Sequence, residues 1–513
     1  MVTLVSCFSD RNARFSRDNH REFCRRTHAT HVNETISRSA DSRELGALYK
    51  YQMVSDRLAQ ATEGEVVIFA SENALFVRFH DFDRIMEGRD SLVTTGFFGV
   101  NTEMFVIRNN DENRRLARGM AARCRQYYEC GKFVTEEELL EAFPHVPDWD
   151  MLNDVIPIAS MWSGQHPDLR GSPVIAVSLV FRPRLYSKYG PTWRAILARH
   201  INACHAAGDS PLFEVDAPAS CTSNEAVSVY QPGQSIAVVM LYTPNIAGCA
   251  RFGEASLRAY CERNGYTFYQ HRDVPTDFER EACGNWSKPF LLAKYLPHHD
   301  WVFWVDADII VMNPDVNLER FTQGRERVLT ADICGWRFNS GVMGFRNTEA
   351  NAEALQGVLD KVHQIEDVKH IFSSQGDQFV FMEELISRGL CPEMDSPELV
   401  SFRELNTPWY YADPETFMCH FHGLSSEMRL LFMSMDRVPE GGFEAIEDDP
   451  HQAIVHIPRA DGVTQRVRRL LLQEASKLCS SGGQHEPATA QYIGSARDGR
   501  RHGRAARRIV RIE

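Results

Sequence analysis

Two aspartates, Asp306 and Asp308, interrupt an apolar stretch that runs from Trp301 to Val305 before them and from Ile309 to Met312 after them. Runs of this kind, rich in valine, isoleucine and aromatics, read as a strand buried on both faces of a sheet. Uncompensated carboxylates are costly in such a place. Alternation along an extended chain puts the two on the same side. Like charges that close raise each other's pKa unless a cation sits between them. The pair therefore predicts a hard divalent cation at a strand end. The competing reading has one aspartate capping a helix and the other facing water.

Three further stretches offer groups for the same site. Asn339, Ser340 and Gly341 form a polar turn in which the glycine lets backbone approach a ligand closely. Asp377 and Gln378 stand at the start of a helix, where Asp377 reads equally well as an N-cap. His420 and His422 point the same way on an extended chain, so on sequence alone either completes the set. Two carboxylates and an imidazole suit manganese. Such an ion suits a diphosphate, because it offsets the charge that develops as the diphosphate leaves. Lys288 either adds to that charge or is an ordinary surface lysine. Two carboxylates without a metal would suggest glycoside hydrolysis, but neighbours on one strand cannot flank a sugar.

The elements that must position these groups alternate between strand and helix. In the second half Ile236–Tyr242 reads as a buried strand. Phe252–Asn264 reads as a helix closed by Gly265, and Trp286–Leu296, Glu349–His363 and Gln378–Ser387 as further helices. The first half repeats the plan with strands Leu4–Phe8 and Val66–Phe69 and helices Asn19–His28 and Asp111–Gln126, with Asp111 as the expected cap. This alternation predicts an α/β layer architecture.

Short motifs recur between the halves. Asn101 and Asn339, Arg108 and Arg346, and Asn109 and Asn347 are each 238 positions apart, and Lys50 falls against Lys288. Arg199–Asn202 resembles Cys419–His422. Ser71 and Asn73 fall where Asp306 and Asp308 stand. Neutral side chains hold a divalent cation far less well, so the first half is expected to lack the metal chemistry. The expected organisation is a first domain over 1–205, a Gly- and Pro-rich linker over 206–234, a second domain over 235–435 and a C-terminal extension over 436–513. That extension contains an amphipathic helix, Val463–Lys477, and a tail with seven arginines between Arg497 and Arg511.

Of the 513 residues 43% are apolar, enough for real cores. The net charge of -13 argues against nucleic-acid binding. Thirteen cysteines, an odd count with no Cys-x-x-Cys pair, read as reduced thiols and not as a zinc site or a disulfide frame. No run approaches the ~18 apolar residues of a membrane span, and the N-terminus lacks signal-peptide features. The expectation is a cytoplasmic protein. Its arginine tail either touches an anionic membrane surface or is simply solvated.

On these residues, 236–435 resembles a GT-A glycosyltransferase with an Asp-x-Asp motif. The pattern in 285–296, 303–314, 338–347, 376–381 and 419–423 is similar to glycosyltransferase family 34, the galactosyl-, mannosyl- and xylosyltransferases. Family 8, the glycogenin-like enzymes, shares the Asn-x-Gly, Asp-Gln and His-Phe-x-Gly elements and is the near alternative. The resemblance implies two tandem GT-A (Rossmann-like) domains with mostly parallel central sheets, the first a degenerate copy without the Asp-x-Asp motif. It implies retaining transfer of a hexose or pentose from a nucleotide-diphosphate sugar, a UDP-sugar before a GDP-sugar, to a glycan, lipid-linked or other acceptor. Mn2+ or Mg2+ would be the cofactor.

Residue by residue, the resemblance gives Asp306 to donor and metal, and Asp308 and His420 to the metal. Tyr242 would lie by the base and Lys288 near the donor. Asn339, Ser340, Gly341 and Gly423 would line the donor pocket, and Asp377 and Gln378 would face the anomeric carbon. One departure stands out: these families place a diphosphate-gripping lysine after His-Phe-x-Gly. Here Leu424, Ser425 and Ser426 follow, and the nearest basic residue is Arg429. The alternative is an inactive sugar-, nucleotide- or protein-binding scaffold.

Overall fold

The computed structural model of the chain describes residues 1–8, 13–35, 43–96, 99–129, 150–151, 155–157, 176–178, 190–208 and, apart from a few short breaks, 223–434. The first half contributes β1 (Val2–Phe8), β2 (Thr30–Thr35), β3 (Val66–Ser71), β4 (Ala74–Phe76), β5 (Ser91–Gly96), β6 (Gly99–Arg108), β7 (Asp150–Met151), β8 (Val155–Pro157) and β9 (Ala176–Ser178). The second contributes β10 (Val227–Tyr230), β11 (Ile236–Leu241), β12 (Thr267–His271), β13 (Trp301–Val305), β14 (Ile309–Val311), β15 (Arg327–Thr330), β16 (Asn339–Arg346), β17 (Thr407–Pro408) and β18 (Met418–His420).

Each half builds one six-stranded sheet, β2-β1-β3-β6-β5-β7 and β10-β12-β11-β13-β16-β15. Five strands of each follow the same order. Each half also carries a three-stranded sheet, β4-β9-β8 and β14-β18-β17. The architecture is α/β as expected, and most strands of each large sheet run in one direction, with β6 reversed in the first and β10 and β16 in the second. β1 and β11 have parallel neighbours on both sides. β6 and β16 run antiparallel to theirs. The link from β15 to β16 is residues 331–338, too short for the crossover of about a dozen residues that a parallel pair needs.

Both large sheets lie in one compact unit, 1–447. The other unit, 448–513, is outside the described residues, and with it the helix expected over Val463–Lys477 and the arginine tail. The segment expected as a linker contributes structure of its own, because β10 pairs antiparallel with β12 at the edge of the second sheet. Asp111 starts a helix that runs to Glu129 but does not cap it; Asn110 accepts the Asn113 N–H at 2.8 Å instead. The resemblance of Arg199–Asn202 to Cys419–His422 does not reflect equivalent places, since the former lie in helix Gly190–Ala206 and Met418–His420 is a strand. Among the described residues no helix is long and apolar enough to cross a membrane.

Helix Ala247–Asn264 ends at Gly265 in the left-handed region, φ 73°, as the sequence predicts. It packs tightly against the turn that follows β13. A methyl group on Gly253 would lie 2.5 Å from the Ala307 carbonyl oxygen and 3.1 Å from that of Ile309. Backbone cannot yield as a flexible side chain can. Gly253→Ala is therefore expected to cost about 1–3 kcal/mol by urea denaturation. A variant as stable as wild type would show that the helix does not press on this turn.

Candidate active site

The run from Trp301 to Met312 forms two strands, not one. β13 belongs to the large sheet and β14 to the small one, with a turn at Asp306–Asp308 between them. The aspartates converge through that turn and not through strand alternation. Two backbone hydrogen bonds fix it: the Asp306 N–H donates to the Gly341 carbonyl at 2.8 Å, and the Phe421 N–H donates to the Asp308 carbonyl at 2.9 Å. The first brings in the start of β16. The second brings in the end of β18, whose register sets His420 opposite Ile309.

Single ligating atoms of Asp306, Asp308 and His420 all lie within 4.8 Å of one another. His420 Nε2 is 3.1 Å from Asp308 Oδ1 and 4.0 Å from Asp306 Oδ2. The Asp306 and Asp308 side chains keep 22% and 16% exposure, so the set is open on one side. His422 lies outside this set, with its ring centroid 5.0 Å from that of His420. Burial, and then the neighbouring His420, pull its pKa down to about 3.

A chain of amides fixes the tautomer of His420. The Gly341 N–H donates to Asn339 Oδ1 at 2.9 Å, which identifies that atom as the acceptor. Asn339 Nδ2 donates to Asp332 Oδ1 at 3.1 Å. Asn406 Nδ2 donates to Asn339 Oδ1 at 2.8 Å, so Asn406 Oδ1 must be what meets His420 Nδ1 at 2.9 Å. Nδ1 therefore carries a proton, so a neutral ring would present its Nε2 lone pair to Asp308. In that form two acceptors face each other, a pair that a bound cation, or a proton on Nε2, would join. Gly341 admits this ring: a Cβ there would lie 2.5 Å from His420 Cε1.

Asn406 is a residue that sequence reasoning missed. Nothing local marks it, since it follows the charged Arg403 and Glu404 and precedes the polar Thr407. Asn406→Leu is expected to weaken Mn2+ binding about 10–100-fold by titration calorimetry, as outer ligand partners typically do. Asn406→Asp, which still accepts from Nδ1, should lose much less. Equal affinities in wild type and Asn406→Leu would sink the tautomer assignment.

Two cations complete the charge balance. Lys288 is buried at the start of helix Lys288–Tyr295, with Nζ 2.9 Å from Asp306 Oδ1 and 2.8 Å from Asp377 Oδ2. Burial opposes its charge, but Asp306 and Asp377 outweigh that and hold its pKa above the usual lysine range. Arg429 Nε is 3.4 Å from Asp308 Oδ2, and the guanidinium donates to the Phe421 and Leu424 carbonyls, each at 3.3 Å. Burial pushes Asp306 up, with Asp308 adding to it against Lys288. Burial acts on Asp308 the same way, yet Arg429 beside it outweighs that and holds it well below the usual carboxylate range.

Asp377 is the first helical residue after Gly376, not a cap. Its Oδ2 also accepts from Ser340 Oγ at 3.1 Å, and its Oδ1 from Asn285 Nδ2 at 3.4 Å. Gln378 Oε1 accepts the Ser340 N–H at 2.9 Å. The structure thus gathers Lys288, Asp306, Asp308, Asn339, Ser340, Gly341, Asp377, Gln378 and His420. Gly423, with φ 75°, shapes the turn beyond His422. Tyr242 is not brought in. It is 2% exposed, its hydroxyl donates to Glu254 Oε2 at 2.7 Å, and its ring lies in the apolar core, so a nucleotide base has no face to stack on.

The equivalent place in the first half is wired differently. Ser71 Oγ donates to Glu103 Oε2, as does Asn73 Nδ2 at 3.1 Å. Arg194 Nη1 donates to Asn73 Oδ1 at 2.9 Å and Glu72 Oε1 at 2.6 Å. Ser178 of β9 pairs with Ala74 as His420 of β18 pairs with Ile309, so serine stands at the histidine's register position. Lys50 is buried, with Nζ 5.1 Å from the Phe69 ring centroid.

Residues 254–331 match the galactosyl transferase GMA12/MNN10 family. An uncharacterized alpha-1,2-galactosyltransferase of Schizosaccharomyces pombe is 26% identical over 116 residues, 19% of this chain and 33% of that protein. The matched part therefore spans about a third of that relative's length. A glycosyltransferase involved in glycosylation of the major capsid of PBCV-1 is similar at a TM-score of 0.32 and 18% identity, over 39% of this chain and 98% of its own. The galactosyltransferase LgtC, in complex with donor and acceptor sugar analogues, is similar at a TM-score of 0.25 and 13% identity, over 40% of this chain and 98% of its own. In sequence, the second half is glycosyltransferase-like. The fold rests on the chain's own strand order.

Proposed function

We propose that the chain is a divalent-metal-dependent, retaining glycosyltransferase that uses a nucleotide-diphosphate sugar, with its site in the second half. The observation that carries this is His420 Nε2 facing Asp308 Oδ1 with Nδ1 tied to Asn406, beside Asp306. Asp306 Oδ2, Asp308 Oδ1 and His420 Nε2 are the atoms that would hold Mn2+ or Mg2+; Lys288 and Arg429 occupy the opposite carboxylate oxygens. A bound divalent ion supplies positive charge for the departing diphosphate. The chain's own residues do the rest. Lys288 ties Asp306 to Asp377, and Ser340 and Gln378 hold the adjoining wall. Both Asp377 oxygens are engaged, so Asp377 is not poised as a nucleophile. This favours front-face attack, with Asp377 and Gln378 positioning the sugar. Arg429 is spent on Asp308 and the loop after His420, an inward role for the residue nearest the missing lysine. The first half is read as a degenerate copy of the same domain. The scaffold alternative is disfavoured by the intact ligand set.

The test is hydrolysis of a panel of UDP- and GDP-sugars by the full chain with Mn2+. Turnover of one donor that stops on chelation is expected. No turnover of any common donor would count against the proposal.

A further inference from the structure

The two halves meet along one apolar seam, and several of the residues that form it come in pairs. Leu75 and Ile310, Trp193 and Met428, and Leu197 and Phe432 all belong to a single buried cluster, and each pair is 235 positions apart. Ser71 and Asp306, and Asn73 and Asp308, are separated by the same number. So are Arg194 and Arg429, which face Asn73 and Asp308 respectively. Both halves thus present the same patch to each other, which is the geometry of an isologous two-fold dimer.

We propose that the first half serves as a built-in partner subunit whose Trp193 braces the loop carrying His420. The inference rests on the metal reading above and goes beyond it, because it gives the metal-free half a task. Trp193 is 2% exposed and meets Phe421, Trp409 and Phe432 edge-on, at centroid distances of 5.7, 6.0 and 5.2 Å. Phe421 follows His420 directly, and its N–H holds the Asp308 carbonyl. Trp409 follows Pro408, which pairs with His420 in the small sheet. The ring therefore backs the histidine from two sides. Its contacts among the described residues are those of ring on ring.

Packed cores hold side chains in place because a void removes contacts outright. Trp193→Ala opens such a void behind Phe421. In the full-length protein it is expected to weaken Mn2+ binding about tenfold by calorimetry, and Trp193→Phe should restore most of that. Phe105→Ala, which opens the first half's own core where Phe69 and Tyr51 stack, should leave Mn2+ affinity unchanged despite a lowered melting temperature. Leu197→Ala, a smaller deletion in the same seam, should act as Trp193→Ala does and keeps the test readable where the tryptophan variant does not fold. Wild-type affinity in the folded seam variants, or an equal loss in Phe105→Ala, overturns the brace while leaving the metal reading intact. A wild-type protein that binds no Mn2+ overturns both.

Discussion

Asp308→Asn is expected to fold like wild type, to lose measurable Mn2+ binding and to lose about 10²–10³-fold in sugar-nucleotide hydrolysis, the scale set by removing one well-placed charge-stabilising group. The chain itself supplies the reason to choose asparagine. In the first half Arg194 donates to Asn73 at 2.9 Å, where in the second Arg429 lies 3.4 Å from Asp308. An arginine facing an asparagine is thus a combination this architecture already accommodates. In the variant Arg429 keeps the Phe421 and Leu424 carbonyls as partners, so the loop after His420 stays tied. A loss of activity with an unshifted melting curve would then belong to the site and not to unfolding. Wild-type metal affinity in this variant would remove Asp308 from the ligand set.

The charges of this site were legible because they sit in apolar surroundings: Asp306, Asp308 and His420 interrupt runs that are otherwise buried. Their arrangement was not. Strand alternation along one chain predicted the convergence of the aspartates. The actual cause is a sheet change, in which β13 pairs with β16 and the next residues pair with β18, more than a hundred positions away. Such pairing is a property of two distant segments and leaves no local pattern. Asn406 was invisible for the same reason, since its role exists only once β17 lies beside β18. The internal repeat was visible, but its spacing drifts from 235 at the aspartate turn to 238 at Asn101 and Asn339. That drift masks the equivalence of Arg194 and Arg429 in the sequence. Tyr242 failed for a different reason: an aromatic at a strand end looks the same in sequence whether it faces a ligand or, as here, a buried Glu254–Arg272 pair.

Lys288→Met should cost about 3 kcal/mol of stability by urea denaturation, because it strips two carboxylates of their shared cation. The Lys288 side chain is 2% exposed while those of Asp306 and Asp377 are 22% and 10% exposed, so water compensates the loss only in part and the low end of the range for buried pairs applies. The pH dependence has a definite sign. Burial and Asp308 already raise the Asp306 pKa against the pull of Lys288, and removing Lys288 raises it further. A carboxyl whose folded pKa lies above its unfolded value favours folding while protonated, and that contribution disappears as pH rises through the folded pKa. The deficit of the variant against wild type is therefore expected to shrink from pH 8 toward pH 5. Mn2+ should act in the same direction as the proton, replacing the lost positive charge beside Asp306. The melting temperature of Lys288→Met should then rise more on adding saturating Mn2+ than that of wild type does. A stability loss that neither protons nor Mn2+ relieve would mean that Lys288 acts through packing against Trp304, whose ring centroid lies 5.5 Å from Nζ, and not through the two carboxylates it bridges.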